Sequence, residues 1–331
     1  MLYENDQPNK LYKPWKFEQI LRRCMQTWSL YMNESSRLMA DASMDENDSL
    51  ELGGTVSSNS TIEHISKYWN RQPCNIKHSK SEYGTKLYFD EVETRKYFVE
   101  PHIKNFATFG EWSAKRVLEI GCGIGTDAIN FVRAGAIYTG IELSTKSLEI
   151  TKKRFEVYGL QPEALLEGNA EELDKIFTYI TDSSKQFDLI YSFGVIHHTP
   201  RPRRVLEQII KLNLLKEKTG ELRIMVYAAR SWKAAMITAG LDQPEAQNDC
   251  PIAYTYTNES VCKLMTGLFE IKSIEQDHIF PYVIEKYRNH EYERQPYFSA
   301  MPNEIFRALE KVFGWHLLVT ATKTPEILDK A

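Results

Sequence analysis

Val117-Leu-Glu-Ile-Gly-Cys-Gly-Ile-Gly-Thr126 decides the fold of this chain. The short β-rich run VLEI enters a turn with glycines at alternate positions, Gly121, Gly123 and Gly125, and the following TDAINFVRAG has helical spacing. Glycine tolerates positive φ and carries no side chain, so a ligand can lie against the backbone itself. The spacing separates two ligand classes. A dinucleotide fingerprint GxGxxG starting at Gly121 needs glycine where Thr126 stands, and one starting at Gly123 needs it where Ala128 stands. GxGxG without that third position suits a ligand with an amino-acid tail in place of a pyrophosphate. Glu142 closes the next β-rich run, IYTGIEL, about twenty positions downstream, where a carboxylate at a strand tip accepts ribose hydroxyls.

Outward from this unit the alternation continues. TKSLEITKKRFEVYG reads as a helix closed by Gly159, ALLEG as a third strand and FDLIYSF as a fourth. Helix PRRVLEQIIKLNLL and strand ELRIMVYA follow. Strands separated by helices of this length imply βαβ units and a parallel sheet covered on both faces. After Ala228, TNESVCKLMTGL reads as a helix, and FEIKSIEQ and HLLVTATK as closing strands around an insertion over 277–313 crowded with aromatics and prolines. Upstream, apolar residues at spacings of three and four predict an amphipathic helix over 15–40, and the acidic, Ser/Asn/Gly-rich stretch 41–60 reads as a linker or loop. A helix capped by Thr61 and a second over Lys86–Phe98 come next. The expected organisation is an N-terminal helix and linker over 1–60, a helical cap over 61–114 and an α/β domain over 115–331.

The bulk numbers bound the function. The chain has 331 residues, 42% hydrophobic and 26% charged, with a formal net charge of −4. That balance supplies no broad positive field, so nucleic acid is not an expected partner. The five cysteines are scattered and never in a CxxC pair, which speaks against a disulfide framework or a zinc site and for a reducing cytosol. The opening MLYENDQPNK lacks the pattern of a signal peptide, and no apolar run reaches the roughly 20 residues of a membrane span. A soluble cytoplasmic protein with no metal and no membrane contact is expected.

LEIGCGIGT, GIELS, GNAEEL and FDLIYSFGVIHHT resemble the successive motifs of a class I S-adenosylmethionine (SAM)-dependent methyltransferase, strongly over Lys115–Tyr227. The resemblance implies a seven-stranded, mostly parallel, doubly wound sheet with its last strand antiparallel. It also implies SAM as cofactor and S-adenosylhomocysteine (SAH) as product. Glu119 and the glycine backbone would then lie near the methionyl amine, Glu142 and Leu143 at the ribose, and Asn169, Ala170 and Glu171 around the adenine. Ser192 on the fourth strand and Tyr68, in the helix that such a fold lays over SAM, complete the cofactor set. Many members carry Asp where Asn169 stands, and an amide still serves the adenine edge.

The methyl acceptor must come from elsewhere. The tip of the fourth strand, Phe193 to Thr199, reaches the crevice where ligands of open α/β sheets bind, which makes His197 and His198 candidate general bases. Arg201 and Arg203, at a helix start where their charge opposes the dipole, are candidates for an anionic substrate group, against a solvated basic rim. Tyr254, Tyr256, His278 and Tyr282 are candidates for an acceptor pocket, against ordinary packing. The reading is O-methylation of a small molecule or modified peptide. C-methylation of a quinone-like ring and a non-catalytic SAM-binding module are the alternatives, and a nicotinamide dehydrogenase fails on glycine spacing.

Overall fold

The computed structural model describes residues 53–56, 61–241, 243 and 250–324. The helix expected over 15–40 lies outside the described residues. Within 41–60, read as a linker, residues 53–56 are instead a strand. This β1 (Gly53–Val56) pairs antiparallel with β7 (Ile252–Tyr256), Val56 opposite Ile252. Gly54 permits the pairing: its φ is +106°, and a Cβ there would sit 2.0 Å from the Ala253 carbonyl oxygen.

The remaining strands are β2 (Arg116–Ile120), β3 (Ile137–Glu142), β4 (Ala164–Glu167), β5 (Leu189–Phe193), β6 (Glu221–Ala228), β8 (Phe269–Asp277) and β9 (His316–Lys323). They lie in the order β4-β3-β2-β5-β6-β9-β8, with β2 to β6 parallel and β9 antiparallel to both its neighbours. This is the expected seven-stranded sheet with its last strand reversed. The additional ribbon of β1 and β7 joins the end of β6 through Tyr227 and Ala228.

Helices α1 (Ile62–Arg71), α2 (Lys86–Val99) and α3 (His102–Ala107) form the cap segment. α4 (Thr126–Arg133), α5 (Thr145–Tyr158) and α6 (Pro202–Lys211) cross over between strands, and α7 (Trp232–Thr238) and α8 (Asn258–Met265) flank β7. Three short helices, α9 (Ile284–Arg288), α10 (Pro296–Ser299) and α11 (Asn303–Phe313), fill the insertion. Local signals set the ends. The Thr61 side chain accepts from the His64 amide at the start of α1, and Gly159 ends α5 with φ +63°.

Side chains of a strand alternate between faces, and both faces here are buried. Along β2, Val117 joins Ile129, Phe131 and Tyr138 on one side, whereas Leu118 and Ile120 join Ile190, Ile209 and Val226 on the other. No helix among the described residues is long and apolar enough to cross a membrane.

Candidate functional site

A cleft opens beyond the carboxyl ends of β2, β3 and β5, and the glycine turn forms its floor. Gly121, Gly123 and Gly125 have φ of +78°, +56° and +76°. Gly121 and Gly125 are packed from behind, because a Cβ would meet Val195 Cγ2 at 2.3 Å and Thr151 Cγ2 at 2.8 Å respectively. A Cβ on Gly123 would meet nothing within 4 Å, and this residue lines the cleft. The middle glycine is thus the one that offers bare backbone to a ligand.

Two carboxylates stand at the adjoining strand ends. Glu142 accepts from the Gly123 amide through Oε2 and from the Ser144 amide through Oε1, both at 2.8 Å. These bonds lock its rotamer and leave lone pairs for a diol. Burial raises its pKa despite them. Glu119 accepts the Tyr138 hydroxyl at 2.5 Å, and burial, then the charge of Asp127, lifts its pKa to about 8. Asp127 in turn holds the Lys96 ammonium at 2.8 Å and the Tyr97 hydroxyl at 2.9 Å. A buried acid whose ionisation is disfavoured in this way is stabilised as the carboxylate when a ligand ammonium comes to lie beside it. Bare backbone at Gly123, a braced carboxylate at Glu142 and an electron-rich end at Glu119 together fit a nucleoside with a cationic amino-acid tail.

Leu143, Asn169 and Ala170 also line the cleft. Asn169 Oδ1 accepts from the Glu171 amide, which fixes the turn that follows β4. Glu171 itself stands outside the lining: fully buried, it accepts from the Arg201 amide at 2.7 Å and from Arg201 Nε at 2.8 Å. Ser192 lies behind the cleft, its hydroxyl donating to the Ile120 carbonyl and tying β5 to β2. In α1 it is Trp69 that faces the cleft, and Tyr68, its neighbour on the helix, packs edge-on against it at 5.0 Å.

The two histidines part company. His198 lines the cleft, its Nδ1 lies 2.6 Å from the Ile252 carbonyl oxygen, and Trp69 packs on the ring at 5.4 Å. Because a carbonyl only accepts, the ring proton sits on Nδ1. Nε2 therefore carries the lone pair, and this buried atom makes no hydrogen bond among the described residues. Burial lowers the His198 pKa to about 4, so the ring is neutral near pH 7. His197 packs at a tilt against Tyr227, with ring centroids 3.8 Å apart, and burial holds its pKa well down. It does not reach the cleft lining.

The remaining acceptor candidates also divide. His278 lines the cleft, whereas Tyr254, Tyr256 and Tyr282 do not. Tyr254 and Tyr256 point into the core around Ile252 and Val261, and Tyr282 stacks on Phe98. Arg201 is taken by Glu171, and Arg203 ties down the carboxyl end of α8 by donating to the carbonyls of Leu264 and Thr266 at 3.0 Å. The cations that line the cleft are Lys96 and Lys233. Sequence reading missed these, together with Trp232, Trp315 and His316. Trp315 stands just before and His316 at the start of the closing run HLLVTATK, but nothing local marks which residue of a strand start faces a distant crevice.

Residues 118–217 match the family model described as a methyltransferase domain. Over 99 residues the chain is 32% identical to a ubiquinone biosynthesis O-methyltransferase of Bordetella bronchiseptica, which spans 30% of this chain and 38% of that protein. The equivalent protein of Salmonella paratyphi A is 29% identical over 98 residues, again 30% of this chain and 38% of the relative. The chain thus matches well under half the length of these curated relatives. Among solved structures, the [4+2]-cyclase SpnF superimposes with a TM-score of 0.51 at 17% identity, covering 82% of this chain and 99% of that one. That likeness speaks for the fold alone. Motifs, strand order and the matched family model converge on one conclusion: the chain carries a class I SAM-dependent methyltransferase domain.

Proposed function

We propose that the chain transfers the methyl group of SAM to an oxygen of a small molecule or modified peptide. Bound SAM supplies a methyl group already activated on a sulfonium. What the protein has to provide is a held nucleophile, a proton acceptor and exclusion of water. Glu142 takes the ribose hydroxyls, Gly123 and Glu119 the methionyl end, and Leu143, Asn169 and Ala170 the adenine side.

The observation that carries the oxygen reading is the His198 ring. His198 lines the cleft and its Nδ1–H is committed to the Ile252 carbonyl, so Nε2, a buried atom at the cleft wall, is the ring nitrogen that keeps its lone pair. A hydroxyl of the acceptor donates to this nitrogen and is turned with its oxygen toward the methyl. As the methyl passed from sulfur to this oxygen, with the S–CH3 bond broken and SAH as leaving group, the hydroxyl proton would go to Nε2. Low pKa suits the first role, because the ring is never protonated before the acceptor arrives. Trp69 packs edge-on against the ring at 5.4 Å and adds apolar surface beside it. The relatives named as O-methyltransferases agree with an oxygen acceptor.

The test is incubation of the protein with isotopically labelled SAM and a panel of phenols and carboxylic acids, with products identified by mass spectrometry. Label in an ether or ester, reduced by His198→Ala with SAH binding retained, is the expected result. Label on ring carbon would replace the reading with C-methylation, and SAH binding without turnover of any member would point to a binding module.

A further inference from the structure

Beyond the cofactor end, the cleft wall carries a cluster assembled from three distant segments. Glu100 follows α2, His278 follows β8 and His316 opens β9. All three are buried and line the cleft, and one donor atom from each lies within 4.8 Å of the others. His316 Nε2 is 3.7 Å from Glu100 Oε1, and the His278 and His316 rings stack at 4.8 Å. We infer that Glu100, His278 and His316 bind a divalent transition-metal ion of the zinc type.

The donor set selects the ion. Two imidazoles and one carboxylate suit zinc, cobalt, iron or manganese, whereas magnesium and calcium prefer oxygen alone. Donors about 2.1 Å from a tetrahedral ion stand roughly 3.4 Å apart, so the observed spacing closes by about an ångström when the ion enters. The outer shell is also present. His102 Nε2 lies 2.9 Å from His316 Nδ1, and His102 does not line the cleft. A proton on His316 Nδ1 that donates to His102 leaves His316 Nε2, the atom facing Glu100, as the ligand nitrogen.

Backbone geometry holds the arrangement. His278 has φ +76°, a conformation that strains a residue other than glycine, and its carbonyl accepts from the Trp315 amide at 2.7 Å. Gly314 lets the two segments meet, since a Cβ there would stand 2.1 Å from the Asp277 carbonyl oxygen. Of the lysines nearby, Lys96 pairs with Asp127 at 2.8 Å, Lys311 pairs with Asp277 at 2.8 Å, and Lys233 lies over the Trp315 ring at 5.1 Å. Three protein ligands leave at least one coordination position open to the cleft. An acceptor oxygen fills it, a use that rests on the methyl-transfer reading; the binding of the ion does not.

The experiment is a Co2+ titration of the chelator-treated full chain, followed by its visible ligand-field absorption, with Zn2+ as competitor. One equivalent of Co2+, displaced by Zn2+, is expected. Glu100→Gln and His278→Gln should each weaken binding by at least about tenfold, as loss of a ligand or its support does. SAH-induced thermal stabilisation, retained in both, shows that they fold and that the cofactor end is intact. No Co2+ band in the unsubstituted protein, or a band unchanged in both variants, overturns the assignment. Should a variant fail to fold, electron spin-echo modulation of the Cu2+-loaded unsubstituted protein counts the imidazole ligands directly. Two supports the site and none or one overturns it.

Discussion

The Nδ1 of His198 lies 2.6 Å from the carbonyl oxygen of Ile252, a residue of β7 more than fifty positions away. One backbone carbonyl thereby decides which ring nitrogen can receive a proton from an acceptor. His198→Gln keeps a polar side chain but cannot reproduce a ring lone pair opposed to a fixed N–H. We expect kcat to fall by about 10²-fold or more, within the usual range for a proton acceptor. KM for SAM should stay within about twofold, and a KM change without a kcat change would remove His198 from the chemistry.

Burial keeps His197 and His198 neutral in the folded chain, and this sets an acid limit on stability. The His198 ring takes its proton only at about 4 when folded, against 6.5 when unfolded. Between those values the unfolded chain binds more protons, so stability falls as pH drops through the window. A separation of that size is worth about 3 kcal/mol for one group. Urea unfolding at pH 7 and pH 5 should show about 2 kcal/mol of that loss, the part lying between 6.5 and 5, and His198→Gln should flatten part of it.

Glu142 is expected to carry the cofactor. Glu142→Gln keeps the shape but turns one oxygen into an amide donor, which opposes the Gly123 or Ser144 amide now bonded there. SAH affinity should fall by about 10- to 100-fold, as expected for a disrupted buried hydrogen-bond pair. Calorimetry measures this directly. Unchanged affinity would place the ribose elsewhere.

At Gly121 two costs coincide. A Cβ would stand 2.3 Å from Val195 Cγ2, and the φ of +78° is itself unfavourable for any other residue. Gly121→Ala should destabilise the chain by about 2–4 kcal/mol. The double variant with Val195→Ala should recover the steric part but not the backbone part. Full additivity in a denaturant cycle would show that the two residues do not meet.

Arg201 lies at the helix start but faces Glu171, which is fully buried. Arg201→Ala leaves Glu171 with the backbone amide alone. The expected cost is about 1–2 kcal/mol, moderated because the guanidinium side is solvated. Acceptor KM should be unchanged. A raised KM would return this arginine to substrate recognition.

The sheet and the glycine-turn end of the cleft were legible because their signals are local. Glycines at alternate positions, β-branched runs and an acid at a strand tip each sit within a few residues of one another. Gly159 and Thr61 marked their helix ends for the same reason. The acceptor end is built otherwise. Trp69 and Tyr68 are neighbours on one helix, and only packing decides which faces inward. His102, His278 and His316 are unrelated in sequence and meet because α3, β8 and β9 converge. Arg201 and Arg203 were read as free because their partners, Glu171 and the end of α8, lie 30 and about 60 residues away. The strand over 53–56 escaped notice because GGTV has the composition of a loop and gains its shape only from β7.

That small strand has a larger role than its length suggests. Val56 is paired opposite Ile252, whose carbonyl orients His198. β7 is therefore clamped between β6 on one side and a segment from far upstream on the other. The strand Gly53–Val56 acts as a splint on the beam that carries the hydrogen-bond partner of His198. Whatever tugs or releases the amino-terminal segment is mechanically connected, through one row of backbone hydrogen bonds, to the aim of a single nitrogen lone pair.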